Sequence, residues 1–202
     1  MCIRDSATTS STSTSSAGSE PIVRDVHALE ALVIGVGSPL MGDDGLGLAA
    51  LEALREGWRF EPELELMDGG TWGMNLLPFI ESARRVLIID AVRAGRTPGS
   101  CVRLEGDEIP RFFATKLSPH QIDLKEVLAL AELRGTLPEQ IVVLGLEPEV
   151  VEMSASLSPV VARGMPELLG RIHEQLGAWD YRSFPTKGLG EDWSAFRSAG
   201  SA

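Results

Sequence analysis

Apolar and polar positions divide this chain into short apolar runs and longer amphipathic stretches. Leu32 to Val36 is continuous and apolar, as a strand covered on both faces requires. From Asp43, "DDGLGLAALEALREG" sets Leu46, Ala50, Leu51 and Leu54 on one helical stripe. It ends at Gly57, a residue suited to the left-handed position after a helix. Glu63 to Asp68 alternates, which predicts a half-buried strand closing in "GGT". Met74, Leu77 and Ile80 predict a helix between Trp72 and Ser82, and Arg85 to Val92 is again a buried-type strand. After the turn "RAGRTPGS", "CVRLEG" returns as an antiparallel strand. The best-marked helix is "SPHQIDLKEVLALAELRG", with Ser118 as N-cap, Pro119 at the first helical position and Gln121 completing a capping box. Leu124, Val127, Leu128 and Ala131 supply its buried face, and Gly135 stops it. Gln140 to Pro148 predicts the last strand. A closing helix starts at Ser158-Pro159, with Gly164 and Pro166 expected to bend or restart it.

Strands alternating with helices predict an α/β, three-layer domain: an open, mostly parallel sheet with helices on both faces. In such sheets ligands bind off the carboxyl ends of the strands, where Asp44, Asp68 and Asp90 all fall. The domain is expected over residues 29–178. Residues 1–28 are read as a disordered, Ser/Thr-rich low-complexity segment, whose first six residues, "MCIRDS", resemble a translated sequencing-adapter scar and are set aside. Residues 179–202, Gly/Ser-rich with scattered aromatics, are expected to form a poorly ordered tail.

Composition narrows the function. Hydrophobic residues make up 44% and charged residues 23% of 202, an ordinary globular balance. The net charge of -11 repels phosphate backbones and disfavours nucleic acid, while it concentrates cations. No apolar run approaches the roughly 20 residues of a membrane span, so no membrane insertion is expected. Two cysteines, Cys2 and Cys101, exclude a disulfide framework, and a reducing cytoplasm is the expected location.

The glycine-rich turn "GVGSPLMGDDGLG" invites a dinucleotide reading, but Leu40 stands where the third glycine belongs. Asp43 and Asp44 would also oppose a pyrophosphate with like charge. One aspartate at a helix start is explained by capping, which leaves Asp44 to serve another purpose. Asp90 ends an apolar strand, where a carboxylate is costly unless solvated, bonded or metal-bound; a turn-capping role competes with a ligand role. Asp68, ahead of Gly69, Gly70 and Thr71, fits an Asx-type turn as well as a supporting role in a site. His120 sits in the first turn of a helix whose dipole disfavours imidazolium, which keeps the ring available as a ligand; an exposed histidine without a role is the competing reading. His27 precedes the first strand, and His173 is expected on the polar side of the last helix. Two carboxylates and an imidazole make a mixed oxygen/nitrogen set suited to a borderline divalent ion such as nickel or zinc. There is no H-E-x-x-H, no G-x-S-x-G elbow and no P-loop, and Cys101 reads as a core residue.

These motifs, in this order, resemble the [NiFe]-hydrogenase maturation endopeptidases. The matching stretches are "GVGSPLMGDDGLG", "LMDGGTWGMNLL", "VLIIDAV", "PGSCVRL", "KLSPHQIDLKEVLALAELRG" and "VVLGLEPE". The resemblance implies a twisted five-stranded sheet between helices and removal of the C-terminal extension from the hydrogenase large-subunit precursor after nickel insertion. It implies metal ligation by Asp44, Asp90 and His120, which would also carry catalysis, with Asp43, Asp68 and Thr71 in supporting or substrate-binding places. The expected metal is nickel supplied by the substrate, or another divalent ion in the isolated protein. Ser38 departs from the asparagine usual in the family. A non-catalytic nickel-sensing chaperone or adaptor for the large subunit is the competing function, because it needs the same metal contact.

Overall fold

The computed structural model describes residues 28–109 and 119–186, with backbone alone at 119–123. The expectations for residues 1–27, for Ser118 and for residues 187–202 lie outside the described residues.

The continuous apolar runs become the centre of a five-stranded sheet. Its strands are β1 (Leu29–Val36), β3 (Glu65–Gly70), β4 (Ala83–Ala91), β5 (Cys101–Glu105) and β6 (Gln140–Leu146), in the order β3-β1-β4-β6-β5. Neighbours from β3 to β6 are parallel, and β5 returns antiparallel on β6. Alternation along the central strands splits the core in two. Val33, Leu87, Ile89, Leu144 and Leu146 face α1 (Leu46–Gly57) and α4 (Pro159–Ala178). Leu32, Ile34, Val86, Ile88 and Val143 face α2 (Leu77–Ser82) and α3 (Pro119–Arg134). The α/β three-layer expectation is thereby met. Helix α1 lies directly on the sheet because Gly47 has no side chain: a Cβ there would collide with the carbonyl oxygens of Val36 and Ile89.

Several local expectations are corrected. Strand β1 starts at Leu29, ahead of the apolar run, and β3 runs two residues past Asp68. A short strand, β2 (Trp58–Glu61), follows α1 directly where the sequence pattern predicted none. It pairs antiparallel with β7 (Arg182–Pro185), inside the stretch expected to be a poorly ordered tail. Trp179 and Tyr181 are core residues, at 4% and 5% exposure, and the Trp179 indole N–H donates to Gln140 Oε1 at 2.8 Å. Large aromatics with a place to bury outweigh the low-complexity composition around them. Helix α4 does not restart at Gly164 or Pro166; it is one helix of 20 residues. Finally, His173 does not lie on a polar face. Its ring packs 4.2 Å from Trp58 and 6.0 Å from Phe60, centroid to centroid, under β2.

Candidate functional site

The carboxyl ends of β1, β3, β4 and β6 share one edge of the sheet, and the turns leaving them carry the acidic residues. Beyond Val36 the chain reverses at Gly37, whose φ of +119° belongs to glycine and whose Cβ would strike the Asp44 carbonyl. It then enters a 3-10 turn, Gly42–Gly45, and runs on into α1. That turn packs against β4.

The two adjacent aspartates have separate work, and neither caps α1. Asp43 is fully buried and spent on structure. Its Oδ2 accepts the backbone N–H groups of Glu149 and Val150 at 2.9 Å each, and the Ser158 hydroxyl at 2.9 Å. Its Oδ1 accepts the Ser158 N–H at 2.6 Å. Ser158 is in turn the N-cap of α4, accepting from the Val161 N–H at 3.4 Å. Asp43 therefore ties the first turn to the β6–α4 connection, and its four donors leave it poorly placed to act as a base. Asp44 is 5% exposed and accepts the Ser38 backbone N–H at 2.8 Å on Oδ2. This bond uses the main chain of residue 38, so serine there serves as well as asparagine.

Asp90 is buried at the penultimate position of β4, directly opposite Gly145 of β6. It shares the face of Val86 and Ile88, on the side of α2 and α3. Helix α3 leads into β6 at the opposite edge, so its first turn, with His120, starts at the same edge and on the same face as Asp90. The His120 imidazole lies outside the described side chains. Topology thus brings the Asp44 turn, Asp90 and the start of α3 to one edge.

Asp68 stands apart from this group. Asp68 is exposed, on edge strand β3, and shares the face of Leu66, which packs on the α1 side. With β1 between them, β3 and β4 are about 10 Å apart. Past β3 the Trp72 N–H closes a turn on the Gly69 carbonyl at 2.9 Å. Thr71 is exposed at the same edge.

One buried acid was not singled out from sequence. Glu147, 6% exposed and next after β6, accepts the backbone N–H groups of Ala94 and Arg96 on Oε2 at 2.7 and 3.0 Å. It fixes the loop that leaves Asp90. Its signal was the one that marked Asp90, a carboxylate closing an apolar run. Cys101 is half-buried, and burial, followed by the charge of Glu167, pushes its thiol up against the opposing pull of Arg171 and Arg96. At neutral pH it is a protonated thiol and a weak nucleophile.

Among the described residues no three His, Cys, Asp or Glu side chains are grouped to hold an ion. The described share of the expected ligand set is two buried carboxylates, Asp44 and Asp90, whose hard oxygen donors suit a divalent cation. A family model described as hydrogenase maturation protease (HycI) matches residues 48–175. The chain belongs to the hydrogenase maturation protease family. It is 34% identical to the hydrogenase 2 maturation protease of Escherichia coli, across 78% of this chain and 97% of that one. It is 37% identical to the hydrogenase expression/formation protein HupD of Rhodobacter capsulatus, across 73% and 71%. The solved hydrogenase maturating endopeptidase HybD of E. coli superposes with a TM-score of 0.74 at 31% identity, covering 78% of this chain and 98% of HybD. Family membership supports protease activity in hydrogenase maturation. Among the described residues no helix is long and apolar enough to cross a membrane.

Proposed function

We propose that this protein is an endopeptidase that removes the C-terminal extension of a [NiFe]-hydrogenase large-subunit precursor, and that it reads the precursor's bound nickel through Asp44, Asp90 and His120. The observation that carries the reading is that the Asp44 turn packs against β4, the strand that carries buried Asp90 near its carboxyl end, with α3 beginning at the same edge of the sheet. Two oxygen ligands and one imidazole would leave vacant positions for the ligands an ion brings with it. Nickel here is part of the substrate: an unloaded precursor lacks the group these side chains recognise, so metal insertion gates cleavage. The buried placement of both carboxylates keeps water from competing at the contact and strengthens the attraction to a cation. Polarisation of the attacking water or of the scissile carbonyl would come from the same ion.

The test is a cleavage assay on nickel-loaded and nickel-free precursor. Wild type shortens the loaded precursor alone, and Asp44→Ala and His120→Ala do not shorten it. Full activity in either variant, or equal cleavage without nickel, overturns the ligand assignment. Tight binding of the loaded precursor with no cleavage at all would favour a nickel-sensing adaptor instead.

A further inference from the structure

Large apolar side chains left in solvent fall into two groups among the described residues. Leu133 and Leu137 lie at the far end of α3. Leu40, Trp72, Met74, Phe79 and Met153 all belong to segments that follow the carboxyl ends of β1, β3 and β6, around the acidic edge. Met153 is 89% and Leu40 66% exposed; singly such residues are ordinary, and it is their grouping that carries meaning.

The backbone around Leu40 and Met153 is fixed by the Asp43 clamp. Around it, the Gly42 N–H donates to the Ser154 carbonyl at 2.8 Å and the Ser154 N–H to the Leu40 carbonyl at 3.0 Å. Met41 and Ser154 form a parallel bridge, so one step back along both segments sets Leu40 beside Met153. The second cluster is joined to the same turn, because the Gly37 N–H donates to the Gly70 carbonyl at 2.9 Å, two residues before Trp72. The Trp72 and Phe79 rings meet edge-on at 6.4 Å. A fully buried carboxylate with four hydrogen bonds thus holds a loop that carries a solvent-exposed methionine.

We propose that Leu40 and Met153, with Trp72 and Met74 across the acidic turn, form the docking surface for the precursor protein itself. This rests on the reading given under Proposed function. The ion contact fixes where the substrate's metal goes; the apolar rim supplies area and anchors, as pre-ordered apolar side chains around a polar centre do in other interfaces. Charge selects the occupant. In a chain of net charge -11, a second copy would bring like charge to buried acids, whereas a partner presenting a cation brings the complement.

The experiment measures steady-state cleavage of nickel-loaded precursor by the full chain, together with binding of that precursor by biolayer interferometry and the sedimentation of the protease alone. The variants are Leu40→Glu/Met153→Glu and the conservative Leu40→Met/Met153→Leu. Both sites are solvent-exposed, and an unchanged melting temperature confirms that the fold is intact. The expected result is a KM and a Kd raised at least tenfold in the glutamate pair, with kcat within threefold of wild type and with near wild-type values in the conservative pair. A KM within twofold of wild type, or a loss confined to kcat, overturns the docking surface while leaving the protease reading in place. So does a wild-type dimer that the glutamate pair converts to monomer, because the rim would then be covered by a second copy. Absence of cleavage by wild type fails the protease reading, and the binding measurement still decides the docking surface.

Discussion

Ser158 donates both its backbone N–H and its hydroxyl to Asp43, at 2.6 and 2.9 Å, across 115 residues of chain. This pair, with the Glu149 and Val150 amides on the same carboxylate, joins the start of α1 to the start of α4. Asp43→Ala would strand one buried and two part-buried backbone donors, which predicts a loss of roughly 2 to 4 kcal/mol in urea denaturation. Asp43→Asn should recover only part of that, since an amide puts its own N–H groups against donors already aimed at Oδ1 or Oδ2. Ser158→Ala removes one hydroxyl and an N-cap, for about 1 kcal/mol. Equal losses in all three variants would contradict the hydrogen-bond account.

Burial lowers the pKa of His173 from its usual 6.5. Both ring nitrogens are buried without a hydrogen-bond partner, beneath Trp58 and Phe60. The fold therefore favours the neutral ring, and below the ordinary imidazole value the unfolded chain binds more protons than the native one. Stability from this group is constant above pH 6.5 and declines as pH falls through that value toward the lower native pKa. The slope is at most about 1.4 kcal/mol per pH unit. His173→Phe should remove that part of the pH dependence, as read by comparing urea midpoints of the two proteins from pH 5 to pH 8. Parallel curves would refute it.

The sheet was legible because its central strands are covered on both faces and so read as unbroken apolar runs. Asp90 was legible for the same reason, as a charge closing such a run. What the pattern hid depends on partners remote in sequence. Nothing local to Asp43 announces Ser158, so the aspartate pair looked like a helix cap with one residue to spare. The β2–β7 ribbon is only four residues long on each side, and its stabilisation comes from Trp179, Tyr181 and His173 packed beneath and beside it. Composition around residues 179–186 pointed the other way. Glu147 was missed although its signal equalled that of Asp90, because a loop amide contact leaves no periodic trace.

Glu147 holds the loop after Asp90 through the Ala94 and Arg96 amides. Glu147→Ala should release the Arg96 N–H and leave Ala94 only its 3.1 Å bond to the Val92 carbonyl, raising hydrogen exchange about tenfold or more at Arg96 and less at Ala94 while the β4 and β6 amides stay protected. Cleavage of loaded precursor should fall with it, because the first loop residue is only two positions from Asp90. Unchanged exchange at those two amides would mean that the backbone holds the loop without the carboxylate.

Asp68 offers the sharpest separation between resemblance and geometry. It ends an alternating strand ahead of two glycines and was a natural candidate for a supporting role. The structure sets it in solvent on edge strand β3, on the α1 face, while Asp90 turns toward α3. A general base has to reach the attacking water within hydrogen-bond distance, directly or through one further water. From the opposite face, about 10 Å away in strand spacing, Asp68 is poorly placed to do so at an ion held by Asp44 and Asp90. Asp68→Asn should therefore leave kcat on nickel-loaded precursor within threefold of wild type, with an unchanged pH profile. A hundredfold loss with the acidic limb of that profile gone would instead identify Asp68 as the base, and would require β3 to move toward β4 when the precursor binds.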